Sequence, residues 1–168
     1  MKILTCIVPV FCLISCAGYQ LGGIKPASLA QVKSITVPMF SNGTLHPRAE
    51  ALATSAVANA FVLDGTYRIA SADHADAVLE GKLESIHYSP VRSTRYDTMH
   101  PEELANTVTL RWSLRDAKNP GKILASGKST GSSKLYVAQN LQTARNNALP
   151  DALDRAAESL VSRLANGY

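Results

Sequence analysis

Cysteine is nearly missing from this chain, and its placement decides how the rest is read. The 168 residues hold three, Cys6, Cys12 and Cys16, and the 152 residues that follow hold none. A disulfide scaffold, a cysteine-ligated zinc site and a thiol catalyst are therefore excluded from the body of the chain. Histidine is scarce too. His46, His74, His87 and His100 form no i, i+4 pair and no HExxH pattern. Asp73-His74-Ala75-Asp76 reads as a solvated loop between strands. No glycine loop of the phosphate-cradling type occurs, since Gly127 to Gly131 falls within a strand pattern. No serine nucleophile of the GxSxG or SxxK type is expected, and Glu102-Glu103 reads as a solvated pair. No enzyme, metal or cofactor is expected. Charged residues make up only 18% of the chain, with 17 basic against 13 acidic for a net charge of +4. That bias is too weak to argue for a nucleic-acid partner. What remains is a 46% hydrophobic chain of single-domain length. A chain of this size buries roughly 70% of its unfolded surface and needs no covalent staple.

The sequence does have one apolar run at its start. After Met1-Lys2 it is apolar from Ile3 to Ile14 except at Thr5, with Pro9 as its one interruption of regular structure. One positive residue and about a dozen apolar ones form the n- and h-regions of a secretory signal, too short for the ~20 apolar residues that cross a bilayer. Leu13-Ile14-Ser15-Cys16 resembles the lipobox of bacterial lipoproteins. A small residue precedes the cut, and the thiol is the side chain that accepts a thioether-linked diacylglycerol. The expected organisation is a cleaved signal over 1–15, a lipidated N-terminus and tether over 16–31, and one domain over 32–168. Loss of the signal removes Lys2 and leaves 153 residues with a net charge of +3. The only attached group expected is the lipid on Cys16, where several acyl chains would anchor the protein without a membrane helix. Ala17 in place of Asp favours the outer membrane by analogy.

Within the domain, Lys33 to Met39 alternates as a first strand, and Ser41-Asn42-Gly43-Thr44 reads as a turn. Pro47 to Leu63 reads as a helix, with Pro47 first and Asp64-Gly65 as the stop. Its sheet-facing side is expected to be Ala49, Leu52, Ala53, Ala56, Ala60, Phe61 and Leu63. Thr66 to Ala70 and Ala77 to Tyr88 are strand patterns, the second ended by Pro90 and followed by a polar loop from Ser89 to Leu104. Thr107 to Arg115 alternates most regularly, with Val108, Leu110, Trp112 and Leu114 on one face. After a turn at Asn119-Pro120-Gly121, Lys122 to Val137 reads as a glycine-weakened strand of the edge type. Gln139 to Ala165 is a second amphipathic helix, expected to kink at Pro150. The order predicts an α+β two-layer sandwich, with two helices on one face of a four- to five-stranded mixed, mostly antiparallel sheet.

The central strands and loops carry a basic and aromatic set: Arg92, Arg95, Tyr96, Arg111, Arg115, Lys128, Lys134 and Tyr136. Arg111 and Arg115 share a face with Thr107 and Thr109, opposite Trp112. Such a face could pair with phosphates or carboxylates.

These features together resemble the LptE family of lipopolysaccharide-assembly lipoproteins. The resemblance rests on Gly18-Tyr19-Gln20-Leu21 behind the lipobox, then Ile35-Thr36-Val37-Pro38 leading to Asn42-Gly43-Thr44. It continues with Asp64-Gly65-Thr66-Tyr67-Arg68, Ala75 to Leu83, and Asp154-Arg155-Ala156-Ala157 ending in Leu160 to Leu164. It is closest to the divergent, non-enterobacterial branch. The resemblance implies the same two-helix sandwich. It implies a lipid-anchored protein on the periplasmic side of the outer membrane, acting as plug and assembly partner of an LptD-like β-barrel in lipopolysaccharide transport. It also implies lipopolysaccharide contacts at positions matching Arg92, Arg95 and Lys134, with Arg111 and Arg115 on the adjoining face. A lipid-anchored scaffold or pilotin of another envelope complex is the alternative that shares the lipobox and a small α+β body.

Overall fold

The protein is described here from a computed structural model covering residues 25–93, 101–136 and 140–167. The elements are β1 (Ser34–Thr36), β2 (Ser41–Asn42), α1 (Ala49–Asp64), β3 (Arg68–Ile69), β4 (Ala77–Ser93), β5 (Pro101–Asp116), β6 (Ile123–Tyr136) and α2 (Leu141–Asn166). The sheet runs β3-β1-β4-β5-β6, with β2 also pairing β4. β1 pairs in parallel with β3 and β4, and β2 in parallel with β4, while β4–β5–β6 form an antiparallel meander. Both helices pack against one face, as an α+β two-layer arrangement requires. Counting the two-residue β2, the sheet has six strands, one more than expected.

The core follows from alternation. Leu79 and Leu83 of β4, Val108, Leu110, Trp112 and Leu114 of β5, and Leu153, Ala156, Leu160, Val161 and Leu164 of α2 all fall in one cluster of buried side chains. Two glycines set how closely the layers approach. A Cβ on Gly131 would run into the α2 backbone at Ala152 and Ala156, so β6 and α2 meet without a side chain between them. A Cβ on Gly81 would overlap the Phe40 ring, which lies across β4. At the helix ends, Asn140 accepts the Thr143 N–H (3.1 Å) to cap α2, and Gly65 and Gly167 end α1 and α2 in left-handed conformations. Pro150 lies inside α2. Nearby, the Ala148 carbonyl also accepts the buried Ser133 hydroxyl (2.6 Å).

Several boundaries differ from expectation for physical reasons. β4 does not stop before Pro90. It runs to Ser93, and its partner β5 begins at Pro101, so most of the expected Ser89–Leu104 loop is paired strand. Beyond Leu83 no strand among the described residues flanks β4 on the β1/β2 side, and an edge tolerates a residue without an N–H. A register shift between Leu83 and Ser85 reverses the side-chain phase, so Ile86 packs on the core rather than sharing the outer face of Glu80 and Glu84. Ser41-Asn42 is a short strand rather than part of a turn, and Asn42 accepts the Thr44 N–H (2.9 Å) just beyond it. Arg48 is left-handed at the α1 N-cap, so the helix begins at Ala49 and Pro47 stays outside. Leu52 and Leu63, expected on the sheet side, are exposed, while Val57 is buried.

Candidate functional site

The outer face of the sheet is built from residues that alternate with the core. β5 contributes Thr107, Thr109, Arg111, Ser113 and Arg115; β6 contributes Lys128, Thr130, Ser132 and Lys134; β4 contributes Glu80 and Lys82. Neighbouring strands place these side chains within reach of one another. Arg111 Nη2 lies 2.6 Å from Glu84 Oε1, and Lys128 Nζ lies 3.0 Å from Glu84 Oε2. Arg115 Nε donates to Glu80 at 2.7 Å, and its Nη1 donates to the Pro120 carbonyl at 3.1 Å. Lys134 Nζ lies 3.2 Å from Glu103. The hydrogen bonds from Arg111 and Lys128 hold the Glu84 carboxyl below the usual carboxylate range.

The cationic set expected from the sequence therefore divides. Arg111, Arg115, Lys128 and Lys134 do come together on one face, and each already has a carboxylate partner. Arg92 pairs with Glu103 in the β4–β5 register. Arg95 and Tyr96 lie outside the described residues. Cys16 and the tether residues before Lys25 also lie outside them. Sequence reading found the cations but not Glu80, Glu84 and Glu103 as their partners. The alternation of β4 puts Glu80 on the outer face, but the Arg111–Glu84 pairing depends on strand register.

A groove of about 470 Å³ opens on this face around Glu80, Lys82, Arg111, Ser113 and Lys128. Its floor is the row Gly81–Trp112–Gly127, three residues in register across the strands. Trp112 points inward, where its Nε1 donates to the buried Ser129 hydroxyl (3.1 Å). Ser129 requires a correction to the motif reading. Gly127-Lys128-Ser129-Thr130-Gly131 has the GxSxG spacing of a nucleophile elbow. It lies in the middle of β6, however, not at a strand-to-helix turn, and its serine is 1% exposed on the core side.

A second cavity, about 250 Å³, lies between α2 and β4 and was missed in the sequence. Arg145 sits over the Tyr88 ring at 4.6 Å, beside His46 and Gln142. Tyr88 Oη and Arg145 Nε are both buried without a hydrogen-bond partner among the described residues. Burial raises the Tyr88 phenol above its ordinary value, against the pull of Arg145. No sequence signal joins these residues, because β4 was expected to end at Tyr88. Asp76, from the acidic-histidine loop, is occupied structurally. One carboxylate oxygen accepts the N–H groups of Lys33 (3.0 Å) and Ser34 (2.9 Å) and the Ser34 hydroxyl (2.9 Å). Among the described residues, no three His, Cys, Asp or Glu side chains are placed to hold a metal ion. No described helix is long and apolar enough to cross a membrane.

Comparison with known proteins adds a family and a fold. The family model for LptE, described as lipopolysaccharide-assembly, matches residues 32–164. A search of curated proteins gives no match. Among solved structures, the hypothetical protein CT253 from Chlamydia trachomatis is similar, with a TM-score of 0.56 at 8% identity, covering 79% of this chain and 95% of that one. Protein XCC0632 from Xanthomonas campestris gives 0.54 at 16% identity, covering 83% and 87%. A minor lipoprotein from Acinetobacter baumannii gives 0.50 at 11% identity, covering 79% and 91%. At these identities the likeness is one of fold.

Proposed function

We propose a role that proceeds from one premise: the chain belongs to the LptE family, whose description is lipopolysaccharide assembly. The proposed protein is an outer-membrane lipoprotein, processed before Cys16 and anchored there by acyl chains on the periplasmic side. It acts without catalysis, as plug and assembly partner of an LptD-like β-barrel that delivers lipopolysaccharide to the outer leaflet. The observation that carries this reading is the family match across 32–164, nearly the whole folded domain.

The sheet face supports it physically. A large barrel has a polar lumen, and a plug needs a polar surface that does not recruit strands. Here hydroxyls and paired charges cover the sheet, with Glu80, Glu84 and Glu103 holding four of its cations. Lipopolysaccharide phosphates would have to compete with those carboxylates at Arg111 and Arg115. The proposed contact is therefore centred on the β4–β5 hairpin end, on Arg92, Arg95 and Lys134. Lys134 is the most exposed of the paired cations, at 67%. Arginine offers a planar, charge-assisted fork to a phosphate.

The test is co-purification from detergent-solubilised outer membrane. A large β-barrel should accompany the protein, and its absence would remove the partner from the proposal. For the ligand, Arg92→Glu with Arg95→Glu should weaken lipopolysaccharide binding about tenfold or more, in line with losing charge-assisted contacts. Thermal stability should be unchanged. Unaltered binding would take both residues out of the site.

A further inference from the structure

The cleft between α2 and β4 holds two donors that the fold does not use. Among the described residues, neither Tyr88 Oη nor Arg145 Nε has a hydrogen-bond partner, and both atoms are buried. A buried donor without an acceptor loses its water for nothing in return, and native folds keep few of them. These two lie together, with the Arg145 guanidinium 4.6 Å from the centre of the Tyr88 ring, and both line the cavity of about 250 Å³. Among the described residues Arg145 makes no ion pair, unlike Arg111, Arg115, Lys128, Lys134 and Arg155. The Nε–H of an arginine and the Nη–H beside it form the planar edge that grips an oxyanion side-on.

Strand register and helix spacing build the cleft. The shift between Leu83 and Ser85 puts Ile86 and Tyr88 on the core side of β4. Gln142 and Arg145 stand three residues apart on α2, on one face of its first turns. The segment before α1 forms the opposite wall. His46 Nδ1 lies 3.2 Å from the Pro47 carbonyl and Nε2 lies 3.2 Å from Asn146 Oδ1, so both ring nitrogens are spent and the ring is fixed. Gln142 Nε2 donates to the same Asn146 oxygen (3.1 Å). Arg145 and Tyr88 are left with capacity for a ligand.

The charge around the cleft suits an anion. No carboxylate lines it. At the start of α1 the charged residues are Arg48, which is exposed, and Glu50, whose Oε2 accepts the Asn42 amide (2.8 Å). On α2, Asp151 is paired with Arg155 at 3.2 Å. His87, Glu103 and Lys134 alternate onto the outer face of the sheet. Both helices begin beside the cleft, α1 at Ala49 and α2 at Leu141, and helix N-termini favour negative charge. The cavity is smaller than the roughly 300–1,000 Å³ of pockets that enclose a whole ligand, so it suits one group of a larger molecule. Leu45, Pro47 and Ile86 supply an apolar edge of the kind that meets the C–H face of a sugar ring.

We propose that this cleft binds one oxyanion, a phosphate or carboxylate carried on a saccharide, through the Arg145 guanidinium and the Tyr88 hydroxyl. The saccharide rests on the lipopolysaccharide-assembly reading, and the oxyanion rests on the cleft alone. α2 starts where β6 ends, in the half of the molecule that holds the β4–β5 hairpin. The site therefore adjoins the proposed hairpin contacts and needs no change in how the body sits in a barrel.

The test uses the full-length protein, labelled with nitrogen-15 and purified in detergent and phosphate-free buffer. The Arg145 Nε–H resonance is assigned by its loss in Arg145→Lys. It is followed with the Gln142 side-chain amide as glucose 1-phosphate or glucuronate is added to about 20 mM at constant ionic strength. Both signals should shift and saturate with at least one sugar. Glucose 1-phosphate alone assigns a phosphate, and glucuronate alone a carboxylate. Arg145→Gln, read at Gln142, should weaken binding about tenfold, and Tyr88→Phe, which keeps the ring, about threefold. Arg155→Gln, on the exposed side of α2, should bind as the native chain does. No saturable shift with either sugar overturns the site, as does native affinity in Tyr88→Phe and a folded Arg145→Gln. Shifts produced by an acidic peptide and by neither sugar assign the cleft to protein and also overturn it. A chain that shows the sugar shifts and co-purifies with no β-barrel loses that partner and keeps this site.

Discussion

Tyr67 joins three parts of the molecule through one side chain. Its ring meets Phe61 edge-on (6.1 Å) and lies under Lys25, while its hydroxyl satisfies the Leu164 carbonyl, one of the α2 carbonyls left without an intrahelical donor. Tyr67→Phe should cost about 1–2 kcal/mol in urea unfolding, the price of an unmet buried acceptor. Burial, with the Asp64 charge second, pushes the phenol up to about 12 from its ordinary 10.0. The native state therefore holds this proton more tightly. Its contribution to stability is complete below pH 10 and is lost as the pH rises from there to about 12. The Tyr67→Phe variant should lack that alkaline loss. Asp76 has the opposite sign. The Lys33 N–H, then the Ser34 hydroxyl and N–H, hold its carboxyl below the usual range. That contribution is present at neutral pH and is lost as the pH falls below about 4. Asp76→Ala should lower stability by about 1–2 kcal/mol at pH 7 and by less at pH 3. Glu84→Gln should change it by less, because the pairs it makes are largely in solvent.

Among the elements, β6 and α2 meet at Gly131. Gly131→Val places a side chain against α2 backbone, which cannot move aside as a flexible side chain would. The expected loss is about 3 kcal/mol or more, measured by thermal unfolding. Gly65→Ala should cost about 1 kcal/mol, since the position has open space and only its left-handed φ of 72° opposes a Cβ. Much of this level was legible in the sequence. Strict alternation in Thr107 to Arg115 places Trp112 correctly, and the leucine–alanine spacing of α2 identifies its buried stripe. β4 was read short because Pro90 looked like a terminator and the irregularity near Glu84 interrupts the two-residue period. The buried side of α1 is legible at Ala49, Ala53, Ala56, Ala60 and Phe61 but not at Leu52 and Leu63, because polar residues are spread too evenly round this helix to orient it sharply. The cations of the site were legible from β5 and β6. Their pairing was not, since Arg111 and Glu84 meet only through strand register 27 residues apart.

Taken whole, the molecule has three chemically distinct surfaces. The sheet face is polar, and its charges are largely settled among themselves. The β4–β5 hairpin end lies beside the Arg145–Tyr88 cavity, whose buried donors lack acceptors among the described residues. The end where both helices finish combines exposed aliphatic side chains with cations that make no ion pair among the described residues. In the proposed arrangement the hairpin carries the lipopolysaccharide contacts, and the sheet face meets the barrel wall. Partnership with the barrel is the central claim. It is tested most directly by placing a photo-crosslinking amino acid at Thr130, exposed on the sheet face, in cells that make the full-length lipoprotein. The account predicts an adduct with a single large outer-membrane β-barrel protein after irradiation. Irradiation that yields no β-barrel adduct from this face would contradict it.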